Sequence, residues 1–174
     1  MIKQFIPQGF CLKCQGCCRF READSAWAPC LLDEEMQDLL DKDIPPALIS
    51  IDKRIVPIPN PAQEGFTPTP KSLVWGFICP FLNPPDNKCK IYESRPLECQ
   101  LYPFLVNLRG NKVLLTIDLN CPYVKENLKT EKFKEYTEYL SAFLNSPQQV
   151  RVLKDNPQVL QAYEEVLDIL ELKI

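Results

Sequence analysis

Apolar positions in this chain fall into short clusters up to about residue 120 and into helical stripes beyond it. Across residues 33–42, Met36, Leu39 and Leu40 share one helical face behind Asp33, Glu34 and Glu35, whose charges suit the positive end of a helix dipole. That spacing predicts a helix capped by Asp33, and Ile44-Pro45-Pro46 ends it, because proline disfavours helical geometry in the residue before it. Residues 54–59 and 73–78 read as short extended segments on either side of a proline-rich loop, and 84–87 as a turn. Residues 95–102 predict one or two helical turns with Pro96 at the first position. Residues 111–118 predict a strand hairpinned with 102–108 through Arg109-Gly110-Asn111.

Beyond Cys121 the period changes. Val124, Leu128, Phe133, Tyr136, Leu140 and Phe143 fall at helical spacing, and Val150 and Leu153 continue it after Ser146-Pro147. A last helix is expected from Asn156-Pro157 through Leu160, Tyr163, Val166, Leu167 and Leu170. These stripes read as core, and the last helix is also a candidate surface for a protein partner. The organisation expected is a cysteine-rich domain over 1–123 with a helical extension over 124–174 packed on it.

Composition narrows the function classes. With 174 residues the chain is long enough to bury a sizeable core without crosslinks. Seventeen prolines against five glycines predict much ordered but irregular loop. The net charge is −3 and no Lys/Arg cluster stands out, which argues against a nucleic-acid partner. Residues 1–10 lack the apolar run of a signal peptide, and no stretch approaches the ~18 apolar residues of a membrane span. The expected location is cytoplasmic, with no membrane partner.

Nine cysteines and no histidine carry the chemistry. A reducing compartment, an odd count and the vicinal pair Cys17-Cys18 argue against a disulfide framework. Four cysteines within eight positions argue against inert core thiols, which leaves metal ligation. In Cys11-x-x-Cys14-x-x-Cys17-Cys18, each two-residue step lets sulfurs converge on one ion while backbone N–H groups face the thiolates. Gly16 is expected to adopt positive φ and let the backbone curl around the metal. Cys18 points elsewhere and is free to serve a second ion. Cys79, Cys89 and Cys99, ten residues apart, suit separate loops folding back over the first four, and Cys121-Pro122 follows. Cys30, in an apolar entry to a helix, reads as a core thiol.

The arrangement C-x2-C-x2-C-C, then C-P-F-L, C-x-I-Y-x-x-R-P-x-x-C-x-x-Y-P-F and a later C-P, closely resembles the CxxCxxCC (YkgJ-type) family of zinc- or iron-chelating domains, among whose relatives are flagellin lysine N-methylase proteins. The residues that carry the resemblance are Cys11, Cys14, Cys17, Cys18, Cys79, Cys89, Cys99 and Cys121, with Tyr92, Arg95, Pro96, Tyr102 and Pro103. Gln100, where the family usually has arginine, and the additional Cys30 depart from the pattern. The resemblance implies metal chelation and no particular reaction.

All-sulfur donors suit zinc or an iron–sulfur cluster, and the three-ligand run favours iron–sulfur, with one or two zinc ions as the alternative. On the helical reading Arg95 and Tyr102 share a face with Cys99. With Tyr92 they could donate toward sulfur or an anionic substrate; otherwise Arg95 pairs with an acid and Tyr102 packs. Methyl transfer finds no G-x-G-x-x-G loop, and a serine or cysteine nucleophile finds no histidine base. The fold class expected is α+β, an irregular metal-centred core with short strands and C-terminal helices. The function expected is a redox or catalytic metal module, or else a structural zinc module for protein interaction.

Overall fold

The computed structural model describes residues 2–14, 16–61 and 75–174. Strand β6 (Phe104–Arg109) pairs antiparallel with β7 (Lys112–Ile117), and Arg109 faces Lys112 across a two-residue turn. Gly110 takes φ +61 there, a conformation open to glycine because it has no Cβ. Val113, Leu115 and Ile117 alternate inward from β7 onto the main core. Helices α4 (Pro122–Asn127), α5 (Glu131–Leu144) and α6 (Pro147–Asp155) contribute Val124, Tyr136, Leu140, Leu144 and Leu153 to the same core. Thr130 caps α5 by accepting from the Phe133 N–H, and Ser146 caps α6 by accepting from the Gln149 N–H.

The N-terminal segment is core rather than loop. Phe5 meets the rings of Phe104, Tyr123, Phe133 and Tyr136 at centroid distances of 5.2–5.9 Å. The Tyr136 hydroxyl donates to the Lys3 carbonyl at 2.6 Å. This anchor leads directly into the first cysteines.

The expected last helix is not formed. Residues 157–159 make one tight turn and Leu167–Glu171 form β8, antiparallel to β7, giving the sheet order β6-β7-β8. The other edge of the hairpin is covered too. Leu108 N–H donates to the Gln161 carbonyl, and the buried Asn107 side chain donates to the Tyr163 carbonyl and accepts from its N–H. The apolar residues from 160 to 170 fit either period, and the unpaired hairpin edges select the extended one because buried backbone groups need partners.

A smaller core gathers Phe20, Leu31, Leu39, Ile55, Ile78, Phe81 and Leu82. Around it β1 (Arg19–Phe20) and β2 (Ile58–Pro59) flank β3 (Phe77–Ile78), and β4 (Leu82–Asn83) pairs with β5 (Lys88–Cys89). Of the expected extended segments, 54–59 and 73–78 supply only β2 and β3 as strands; 73 and 74, with most of the proline-rich loop, lie outside the described residues. The architecture is α+β. Among the described residues no helix is long and apolar enough to cross a membrane.

Helix α2 (Asp33–Asp41) joins the two cores. Its cap is Leu32, not Asp33; Glu35 turns back to accept the Leu32 N–H at 2.9 Å. The same carboxylate accepts the Leu97 N–H at 2.6 Å, at the start of α3 (Leu97–Leu101). Asp33 instead receives Lys53 at 2.5 Å and Gln158 at 3.2 Å.

Three expected outcomes follow from this packing. Leu172→Ala lowers unfolding free energy by about 2–4 kcal/mol because Leu172 is buried beside β8. Leu167→Ala, 40% exposed, stays within about 0.5 kcal/mol in the same denaturant titration. Glu35→Ala strips the acceptor from two helix-start N–H groups and costs about 2–3 kcal/mol, measured the same way.

Candidate metal centre

The first cysteine loop is shaped by short backbone bonds. Helix α1 (Gln8–Cys11) is a single turn begun by Pro7, and the Cys14 N–H donates at 3.1 Å to the carbonyls of both Phe10 and Cys11. This folds Cys14 back toward Cys11. Gly16 does not take the expected positive φ. A Cβ there would lie 3.3 Å from the Cys14 sulfur, a tight contact that glycine avoids. The loop is hooked to the far hairpin: Asn87 donates to the Leu12 carbonyl at 3.0 Å and accepts from Arg19 at 2.6 Å.

Cys18 and Cys17 part company. Cys17 is exposed, whereas Cys18 packs against the smaller core with Cys79 and Cys89. The Cys79 N–H donates to the Cys18 carbonyl at 3.0 Å, and the Leu82 N–H donates to the Cys79 carbonyl. Leu82 in turn faces Cys89 across the β4–β5 pair. Cys99 rides on α3, whose Leu97 and Leu101 belong to the main core. Cys121 lies in that core too and begins α4, its carbonyl accepting from Val124 at 3.1 Å. Phe10, just before Cys11, packs edge-on against Tyr123, just after Cys121, at 5.1 Å. The two ends of the site are thereby brought together.

The electrostatics couple the thiols across both regions, the charge of Cys99 and then of Cys11 adding to the rise of Cys17. Burial, then the charges of Cys14 and Cys121, push Cys11 up to about 11, while Arg95 pulls it down and Cys18 adds to the rise. Burial also raises Cys121, with the Cys14 charge adding to it. Burial and then Cys18 push Cys79 up to about 12. Cys99 lies well above the usual thiol range, first through burial and then through Cys79, Cys18, Glu98 and Cys89. Cys89 is raised by burial, with Cys18 adding to it. A sulfur–sulfur hydrogen bond raises Cys17 and lowers Cys18, joining the groups at the vicinal pair.

Cys11, Cys17, Cys79, Cys89, Cys99 and Cys121 thus favour the neutral thiol, and a cation beside such groups reverses the sign by stabilising thiolates. Among the described residues no three cysteine or carboxylate groups already converge as ligands. None of the nine cysteines is in a disulfide. An all-sulfur donor set without histidine fits a soft metal ion or an iron–sulfur cluster.

The polar residues of the motif sit differently from the helical reading. Arg95 precedes α3 in extended geometry, because Pro96 disfavours the helical region before it. Its guanidinium stacks over Tyr92 at 4.0 Å, donates to the Tyr92 carbonyl at 3.2 Å and to Gln4 at 3.1 Å, and its charge reaches Cys11, Cys18 and Cys89. Its partners among the described residues are thus not acids. Tyr102 ends α3 and donates to Asp118 at 2.8 Å; burial first, then that carboxylate, keep its hydroxyl protonated. Gln100 accepts from the Ile2 N–H at 3.0 Å and donates to the Arg95 carbonyl at 2.7 Å, so it ties the N-terminal anchor to the loop before α3.

Cys30 lies 1% exposed in a separate network. Its N–H donates to Glu98 at 2.8 Å, and Glu98, half-buried and pushed up by desolvation to about 7, also receives Tyr163 at 3.4 Å. Nothing in the local sequence marked Glu98 or Glu35 as half-buried acceptors; only the long-range pairing of α3 reveals them.

Comparison with known proteins matches these residues to one family model. Residues 10–139, well over half of the chain, fit the family described as "Putative zinc- or iron-chelating domain". The chain is similar to the uncharacterized protein MJ0661 of Methanocaldococcus jannaschii, with 31% identity over 99 residues, 53% of this chain and 52% of the relative. The chain thus spans about half the length of that curated relative. No solved structure matches it. With the family model covering all nine cysteines, the chain belongs to the CxxCxxCC family of zinc- or iron-chelating domains.

Proposed function

We propose that the chain is an iron–sulfur protein, a redox module in which Cys11, Cys14, Cys17 and Cys121 hold a cluster. The observation that supports this reading is the approach of Cys121 to Cys11 and Cys14, carried by the Phe10–Tyr123 contact at 5.1 Å. It completes a C-x2-C-x2-C run with a remote C-P, the ligand order of bacterial ferredoxin clusters. The bound cluster would supply one-electron chemistry. The chain's own part is to hold four thiolates, to shield them behind Phe5, Phe10 and Tyr123, and to offset their charge with Arg95.

A second reading has its own support. Arg95 and Tyr102, the groups expected to meet a substrate, are engaged within the fold by Gln4, Tyr92 and Asp118. That favours a metal whose work is to tie the loops together, as structural zinc does, leaving function to a protein-binding surface.

The chain purified without oxygen is expected to be brown, with broad visible sulfur-to-iron absorption and stoichiometric iron and acid-labile sulfide. Cys121→Ser is expected to lower iron and sulfide by half or more. A colourless protein with stoichiometric zinc supports the second reading instead. On either reading, stripping the metal with a chelator removes several kcal/mol of stability and lowers the melting midpoint by about 10 °C or more, read by circular dichroism.

A further inference from the structure

Among the described residues four large apolar side chains are exposed, and three of them border one contact. Arg54 donates to Gln161 at 2.8 Å, to the Ala26 carbonyl at 2.8 Å and to the Ala28 carbonyl. Three separate stretches of chain, around residues 27, 54 and 161, are thereby held side by side. Trp27, 39% exposed, lies on the first, and Ile51, fully exposed, leads into the second. Leu108 adjoins the third, its N–H donating to the Gln161 carbonyl at 2.8 Å. Ala26 and Ala162 are exposed on the same stretches. Apolar side chains scattered singly over a surface are ordinary, whereas a gathered set marks an interaction site.

Both main anchors are already ordered. Trp27 rests against the Tyr163 ring at 5.1 Å. Tyr163 is fixed in turn, its N–H and carbonyl bonded to the Asn107 side chain and its hydroxyl donating to Glu98 at 3.4 Å. Ile51 stands at the tip of a closed turn, where the Lys53 N–H donates to the Ser50 carbonyl at 3.0 Å and the Arg54 N–H to the Ser50 hydroxyl at 3.0 Å. Turn tips favour glycine and polar residues, and an apolar β-branched residue placed there gains no burial within the fold. Groups held in this way lose little entropy when a partner covers them.

The free charge beside these anchors has one sign. Asp24 lies three residues before Trp27, and Glu164 and Glu165 follow Tyr163; all three are exposed, and none is in an ion pair among the described residues. The neighbouring cations are taken, Lys53 by Asp33, Arg54 by Asp52 and the two alanine carbonyls, and Arg109 by Asp168. A negative rim of this kind repels nucleic acid and anionic lipid and attracts lysine and arginine.

We infer that Trp27 and Ile51, rimmed by Asp24, Glu164 and Glu165, form a docking surface for a segment of another protein that combines apolar residues with lysine or arginine. The inference does not depend on which metal the thiols hold.

A phage-displayed library of random linear peptides tests it, selected on the metal-loaded full chain and counter-selected on Ile51→Ser. Ile51 buries nothing, so that variant keeps the fold. The surviving peptides are expected to be rich in lysine or arginine beside leucine, valine or aromatic residues. Synthesised and labelled, they are expected to bind Trp27→Ala about tenfold or more weakly by fluorescence anisotropy. The double variant Glu164→Gln, Glu165→Gln is expected to bind them about threefold or more weakly, with the difference shrinking in high salt. No surviving peptide, or survivors that are acidic or uncharged, overturns the inference. Survivors indifferent to the glutamate changes overturn it too, and this arm stands even where Trp27→Ala does not fold. Self-association of the wild type, seen by sedimentation and abolished in Ile51→Ser, also overturns it, because a second copy then covers the surface.

Discussion

Thiol beside thiol is the constraint on which this protein turns. The fold brings cysteines from five parts of the chain close enough for burial first, and then the charges of neighbouring thiols, to oppose ionisation at Cys11, Cys79 and Cys99. Core packing does not account for the whole set, since Cys11 and Cys17 are exposed. A cation reverses the balance, turning mutual repulsion into shared coordination. Membership in a family of zinc- or iron-chelating domains agrees with that physical reading.

The rest of the molecule serves as the frame. The main core holds the N-terminal anchor through Phe5 and starts α4 at Cys121, while the smaller core positions Cys18, Cys79 and Cys89. Helix α3 lies between, secured at its start by Glu35 and beside Cys30 by Glu98. Small loops of this kind have little stability alone. Rigid elements at each loop end limit the entropy that metal binding must overcome.

Local patterning reached the elements whose own residues determine them. The β6–β7 hairpin follows from Arg109-Gly110-Asn111, and α5 and α6 follow from their stripes. It failed where tertiary partners decide. β8 is extended because β7 offers an open edge, although the residues from Leu160 to Leu170 also suit a helix. Arg95 left the helix face because of Pro96, and Gly16 eases a tight approach to the Cys14 sulfur rather than supplying a positive φ. The cysteine spacing identified the thiols but not their grouping, since the approach of Cys121 to Cys11 depends on Phe10 and Tyr123 meeting across more than a hundred residues.

X-ray absorption at the metal edge of the protein purified without oxygen tests the central claim most directly. Thiolate coordination predicts a first shell of sulfur alone, near ~2.3 Å. A shell dominated by oxygen or nitrogen, or a protein that carries no metal at all, would contradict it.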